Sequence, residues 1–292
     1  MVDLAEFPIH VEAARLARRP DTRPHDIDGY RIQRQIGNGR TATIYLAEER
    51  RSGEAVALKL PHDLGQDRDR ALRRLAAECA ILGAIRDRHV VRVHGQQVLG
   101  EPPYLAMEYL AGGTLRRHMG VPMPAEEALS LVRQAALGLA AVHRLGIVHR
   151  DVKPENFLLR SCGTLVLADF GVAARQGDSQ ARVSAGQLVG TLCYAAPEQV
   201  QGSAPDASAD VYGLGVVFYE MLCGHPPFTG KTALEVLAQH LVAPVPRLPG
   251  SLARYQPLID RMLDKQARRR PADAAAVLDE IQCLEPARAH RN

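Results

Sequence analysis

The residues His149, Arg150, Asp151, Val152, Lys153, Pro154, Glu155 and Asn156 read HRDVKPEN, and Asp169, Phe170 and Gly171 follow after a short apolar run. Moving a phosphoryl group requires an acidic residue that orients a hydroxyl, a cation beside the migrating phosphate, and oxygen donors for a divalent metal. These two segments carry all three. The rest of the chain must then supply a nucleotide site that faces them.

The elements that would hold such a site are readable from pattern. Short β-like runs at Tyr30 to Ile36, Thr43 to Glu48 and Glu54 to Leu60 are separated by the glycine-bearing turns Gly37-Asn38-Gly39 and Arg51-Ser52-Gly53, which predicts an antiparallel meander. Asp67 to Ile85 carries Leu72, Leu75, Cys79, Leu82 and Ile85 at three- and four-residue spacing, the mark of an amphipathic helix. Two further strands, His89 to Val98 and Tyr104 to Met107, complete a five-stranded sheet with one helix. Ala111-Gly112-Gly113 reads as a flexible joint, and beyond it the chain turns mainly helical, with helices expected over Glu126 to Leu145, Ala207 to Leu222, Thr232 to His240, Ser251 to Leu263 and Ala272 to Cys283.

Glycines at Gly37 and Gly39 let backbone amides approach phosphate oxygens without an intervening Cβ, although glycine also closes ordinary hairpins. The residues after Ala42 read as a second strand, so the turn lies in a hairpin and not in the strand-turn-helix setting of a dinucleotide fold. Along Val56-Ala57-Leu58-Lys59, alternation sets Val56 and Leu58 on one face and the small Ala57 with Lys59 on the other, leaving room for a flat base near the lysine. Lys59 is either an exposed strand-end lysine or an inward one that requires an anionic partner. Glu78, read here on the polar side of the following helix, is the natural candidate.

Composition sets the limits. With 292 residues and 46% hydrophobic content the chain can bury a sizeable core, and a formal charge of +3 is too small to imply a nucleic-acid partner. The five cysteines lack metal-site spacing, and no apolar stretch reaches the roughly eighteen residues that would span a bilayer. Asp3 and Glu6 stand where a signal peptide needs positive charge, so a cytoplasmic protein with no membrane partner is expected. Lysine occurs only at Lys59, Lys153, Lys231 and Lys265, and two of these fall in the motifs above. Residues 1–28 read as an extension outside the core, 29–285 as the folded unit and 286–292 as a tail.

Glycine loop, VALK at Val56 to Lys59, HRDVKPEN, DFG at Asp169 to Gly171 and APE at Ala196 to Glu198 occur in one order, and in this the chain resembles the Hanks-type protein kinases. That resemblance implies a bilobal α+β fold, with a small five-stranded antiparallel lobe bearing one main helix (29–108) and a larger, mainly helical lobe (109–285). It implies ATP and Mg²⁺ as cofactors, with Mn²⁺ as an alternative ion, and proteins as acceptors. Asp151 would orient the acceptor hydroxyl, Lys153 would neutralise γ-phosphate charge, Asn156 and Asp169 would hold the metal, and Lys59 would pair with Glu78. Ile36, Gly37, Asn38 and Gly39 would cover the nucleotide. Ile44, Ala57 and Leu158 would sandwich adenine, Met107 would stand as gatekeeper, and Glu108 and Leu110 would bind the base through backbone groups. His149 and Phe170, with Leu82, resemble the stacked spine beneath the site, Glu198 and Arg270 a buried ion pair, and Asp210 the brace of the catalytic loop.

Lys153, with Thr191 ahead of Tyr194, resembles the serine/threonine branch, and the Pro197 to Gln199 and Gly224 to Phe228 runs look most like bacterial members. Ala42 replaces the third glycine of the nucleotide loop, and Thr41 sits at its tip. Arg150 implies control by a phosphorylated loop, for which Ser184 and then Ser179 are the candidates. A homodimer through the small lobe is a family possibility. The rivals are a pseudokinase scaffold, which would usually lack Lys59, Asp151 or Asp169, and a small-molecule kinase, against which the APE segment and Arg270 speak.

Overall fold

The computed structural model describes residues 27–39, 41–62, 68–176 and 192–284. The small lobe runs β1 (Tyr30–Asn38), β2 (Ala42–Glu49), β3 (Ala55–Pro61), α1 (Arg68–Ala84), β4 (Val93–Gln97) and β5 (Tyr104–Glu108). Its five strands lie in the order β1-β2-β3-β5-β4, and every neighbouring pair is antiparallel. Alternation on β3 works as expected, since Val56 and Leu58 are fully buried against Ala47, Tyr30 and Ala106.

Helix α1 buries Leu75, Cys79 and Leu82, but Glu78 is buried with them at 3% exposure. This corrects its reading as a residue on the polar side. Its position, three residues after Leu75 and four before Leu82, falls within the apolar stripe, and a cation on β3 makes its burial tolerable.

The large lobe is built on α2 (Ala125–His143) and α4 (Ala207–Cys223), surrounded by α3 (Pro197–Val200), α5 (Ala233–Val242), α6 (Gln256–Met262) and α7 (Ala274–Leu284). All residues of α4 from Ala207 to Leu222 are buried, the charged Asp210 and Glu220 among them. Two short antiparallel pairings complete the lobe: the hairpin β7 (Phe157–Leu159) with β8 (Leu165–Leu167), and β6 (Ile147–Val148) with β9 (Ala174–Arg175), which come together across that hairpin in the chain.

Three expectations shift. The expected strand from His89 begins only at Val93, because His89 and Val91 pair instead with Leu167 of the other lobe. The helix expected over Ser251 to Leu263 is a 3₁₀ helix, Gly250–Tyr255, followed by α6, with Pro257 in the first turn of the second segment. The joint at Ala111 to Gly113 is tied down: Gly112 N–H donates to Leu159 O and Leu159 N–H to Gly113 O, each at 2.9 Å. A Cβ on Gly112 would lie 2.6 Å from Leu159 O, so close approach is what glycine serves there.

A second close approach holds α2 against the strands beneath the cleft, where a Cβ on Gly138 would meet His89 O at 2.6 Å. Gly138→Ala should therefore destabilise the protein by about 1–3 kcal/mol in urea denaturation.

His240 of α5 is fully buried, with Nδ1 2.8 Å from the Tyr212 hydroxyl and its ring 4.9 Å from that of Phe228. Burial, then the nearby Lys265 ammonium, pushes its pKa from 6.5 to about 4. The unfolded chain thus binds the proton more readily, and the native state should lose stability as pH falls from 6.5 towards 4. Denaturation at several pH values should show that slope, and His240→Asn should flatten it.

Candidate active site

The upper wall of the cleft is organised by Lys59, at the inward end of β3 opposite Ile44 and Leu105. Its ammonium donates to both Glu78 carboxylate oxygens at 2.7 and 2.8 Å and to Asp169 Oδ1 at 2.8 Å. Burial alone would lower its pKa, but Asp169 and Glu78 outweigh that and hold it above the ordinary lysine value. The two carboxylates respond in opposite directions: burial raises Glu78 despite Lys59, whereas Lys59 pulls Asp169 down to about 2. Of the two, Asp169 is the one that opens to the cleft, with its side chain 52% exposed against 3% for Glu78.

The second unit is the loop after β6, joined to the first where Ala168 N–H, next to Asp169, donates to Asn156 O at 2.8 Å. Lys153 Nζ donates to Asp151 Oδ2 at 2.7 Å, and Asn156 Nδ2 donates to Asp151 O and Oδ2 at 2.8 and 3.0 Å. Those three side chains form one hydrogen-bonded unit. Asn156 sits in the 3₁₀ turn Pro154–Asn156, and the fixed φ of Pro154 suits the start of that turn.

The loop's shape is set from below. Asp210 of α4, 1% exposed, accepts His149 N–H and Arg150 N–H, both at 2.7 Å, and His143 Nε2–H at 2.9 Å. The tautomer of His143 follows from Ala274 N–H donating to its Nδ1 at 3.2 Å. Burial would raise Asp210, yet the His143 bond and the other donors keep its pKa below the usual aspartate value. Arg150 and Asp169 have φ of 69° and 59°, the only non-glycine residues in left-handed conformation among those described. His149 and Phe170 meet edge to face at 4.9 Å, and Phe170 shares one core cluster with Leu82. Arg270 donates to both oxygens of Glu198 at 2.7 and 2.9 Å.

The residues expected to hold adenine are placed by strand register. Ala57 lies between Leu46 and Met107, and Leu158 pairs with Val166 in the β7–β8 hairpin. Gly37 faces Ile44, while Ile36 is the extra residue of a bulge in β1. Asn38 Oδ1 is 3.0 Å from His62 Nε2 and 3.3 Å from the Thr43 hydroxyl, and Gly39 N–H closes the turn on Ala42 O at 2.9 Å. Ala42 is not among the residues of positive φ, so alanine stands there without backbone strain. Glu108 N–H is bound by Arg92 O and the Leu110 carbonyl by Gly113 N–H.

Among the described residues no cluster of three or more His, Cys, Asp or Glu could hold a metal by itself. Asp169 and Asn156 nevertheless fit Mg²⁺, which favours one or two hard oxygen ligands and completes its shell with phosphates and water. Thr191, Ser179 and Ser184 lie outside the described residues.

Sequence reasoning missed several residues that shape the site. Gln199, in sequence only the end of the Pro197 to Gln199 run, accepts Ala196 N–H through its side chain and donates to Arg150 O, both at 3.0 Å. Arg160, just after β7, donates to both carboxylate oxygens of Glu108 at the end of β5, at 3.0 and 2.7 Å. Arg116 joins Glu155, Glu220 and Tyr194 beside the loop. None of these pairs has a spacing signal.

Residues 30–281 match the protein kinase domain family. The chain is 39% identical over 249 residues to the serine/threonine-protein kinase PknL of Mycobacterium tuberculosis, covering 85% of this chain and 62% of that protein. It is 38% identical over 263 residues to the serine/threonine-protein kinase PkaA of Streptomyces coelicolor, covering 83% and 48%. Against the serine/threonine-protein kinase PknB of Mycobacterium leprae the identity is 34% over 265 residues, covering 87% and 42%. The chain thus spans 62% or less of the length of these curated relatives. A match over nearly the whole described length, on a bilobal fold with the motifs gathered at one cleft, has one meaning: the chain belongs to the Hanks-type protein kinase family.

Proposed function

We propose that this chain is a serine/threonine protein kinase that transfers the ATP γ-phosphoryl group to hydroxyls of proteins with Mg²⁺, or Mn²⁺ in its place. The observation that carries this reading is a pair of adjoining units: Lys59 held by Glu78 and Asp169, and Asp151 held by Lys153 and Asn156, linked where Ala168 N–H donates to Asn156 O at 2.8 Å. A pseudokinase scaffold would have no need of both. The active unit is assigned to 29–285, with 29–108 as the small and 109–285 as the large lobe.

In this reading adenine enters between Ile44, Ala57 and Leu158 below Met107 and bonds the Glu108 carbonyl and Leu110 N–H, while Ile36, Gly37, Asn38 and Gly39 cover the phosphates. Lys59 keeps its bond to Glu78 and turns its remaining donors to the phosphates. Asp151 accepts the hydroxyl proton as the oxygen of serine or threonine bonds to the γ-phosphorus, and the bond from that phosphorus to its bridging oxygen breaks to release ADP. Lys153 offsets the charge on the transferred group. Mg²⁺ bound through Asp169 and Asn156 would neutralise the phosphate oxygens. No helix among the described residues is long and apolar enough to cross a membrane.

Arg150, whose guanidinium also reaches Arg175 O at 3.4 Å, is assigned to pair with a phosphorylated loop residue, Ser184 before Ser179. Phosphopeptide mapping after incubation with ATP should lose its main site in Ser184→Ala, and an unchanged map would remove this assignment.

Labelled ATP, Mg²⁺ and a generic basic protein should show transfer that Asp151→Asn lowers by about 10²- to 10⁴-fold. Transfer by the parent chain no greater than by the variant would sink the kinase reading. Glu78→Gln should keep the fold but reduce kcat/KM for ATP on the order of 10²-fold, because Lys59 loses the anion that aims it.

A further inference from the structure

Arg116 lies in the 3₁₀ helix Leu115–His118, which follows the connection between the lobes. Its planar guanidinium is spent in three directions. Nε donates to Glu155 Oε1 at 2.7 Å, Nη1 to Glu220 Oε1 at 2.7 Å, and Nη2 to the Tyr194 hydroxyl. The Tyr194 hydroxyl in turn donates to Glu220 Oε2 at 2.6 Å. The partners come from three places: the turn that also carries Asn156, the segment just before APE, and the core helix α4.

We propose that Arg116 is a specificity-determining residue, which fills from within the chain an acidic subsite beside the catalytic loop and so denies that subsite to basic side chains of the protein acceptor. The inference rests on the kinase reading above. Its geometric basis is that two carboxylates and a phenol oxygen surround a flat fork, the arrangement that selects guanidinium over a point-like ammonium.

Location and exposure separate this cluster from a purely structural ion pair such as Arg270 with Glu198, where the arginine side chain is fully buried. Arg116 is 35% exposed and Glu155 44%, so the cluster opens to solvent, while Glu220 at 5% forms its floor. Glu155 immediately precedes Asn156, whose side chain holds Asp151, and an acceptor chain presenting its hydroxyl to Asp151 must pass close by. Without Arg116 the floor carboxylate would be left buried and short of a cation, which is costly. An arginine supplied by the acceptor would relieve that cost, so the preference hidden by Arg116 is for basic peptides.

The test uses serine peptides in which a single arginine is moved through each position from four before to three after the acceptor, phosphorylated by the parent chain, Arg116→Ala and the double variant Arg116→Ala with Glu155→Gln. The parent should show a nearly flat profile of kcat/KM. Arg116→Ala should gain at least about tenfold for arginine at one or two positions, the size of a charge-assisted bond, and the double variant should lose that gain. A folded, active Arg116→Ala with a flat profile would overturn the proposal, as would a parent chain already selective at the same position. If Arg116→Ala does not fold, Arg116→Met, which keeps the stem, carries the same expectation, and failure of both to fold would make Arg116 a structural prop and overturn the assignment. No transfer to any peptide or protein by the parent chain would instead overturn the kinase reading and this inference with it, a result distinct from an active enzyme with an unchanged profile.

Discussion

A single buried carboxylate sets the geometry on which the cleft depends. Asp210 cannot stay charged inside α4 without donors, and the donors it finds are the N–H groups of His149 and Arg150 and the ring of His143. To offer two successive N–H groups to one carboxylate the chain must turn sharply, and Arg150 takes a φ of 69°. A non-glycine residue in that region costs about 1–3 kcal/mol. Each hydrogen bond to a buried charge returns about 1.5–3 kcal/mol, so the strained turn is the stable one. Gln199 then holds the carbonyl of the same residue, and Asp151 is delivered next in the chain with its direction already fixed.

Lys59 imposes the corresponding order on the upper wall, where desolvation decides between its two carboxylates. Glu78 is buried among the apolar residues of α1, so water does not stabilise its charge, and its proton affinity rises despite the lysine. Asp169 keeps half its side chain open to the cleft, and there the lysine prevails. One ammonium therefore anchors the helix through Glu78 and leaves an anionic oxygen facing the space where phosphates would lie. The left-handed backbone of Asp169 presents that oxygen while Phe170 turns back into the core beneath His149.

What could be read in the sequence was what is contiguous in it. The motif residues, the small-lobe meander and the three-four spacing of α1 depend on neighbours within a few positions, and the structure keeps them within two or three residues of the expected bounds. The β7–β8 hairpin and the β6–β9 pairing have strands of two or three residues, too short to leave a period. Glu78 was misjudged because a helical pattern identifies an apolar stripe but does not reveal that a cation waits opposite a polar residue inside it. Gln199, Arg160 and Arg116 were invisible for a related reason: their partners lie 49 residues away for Gln199, 52 for Arg160, and 39 to 104 for Arg116. A single chain carries no mark of such pairs until the fold brings them together.

The connection between the lobes shows how far such distant pairs reshape the reading of a segment. Two successive glycines suggested freedom, but in the fold they allow Gly112 and Gly113 to lie against Leu159 and exchange backbone hydrogen bonds with it. Glu108, one step earlier on β5, is gripped by the Arg160 guanidinium and by Arg92 N–H at 2.9 Å. Both ends of the connection are therefore fastened, one to the β7–β8 hairpin of the large lobe and the other to a residue beside it. The backbone groups that the proposed function assigns to adenine are held at set positions, so on that reading less ordering would remain to be done on binding. Rigidity along that edge also means that rotation of one lobe against the other must disturb charged contacts at Glu108, so the connection and the end of β5 answer to the same ion pair.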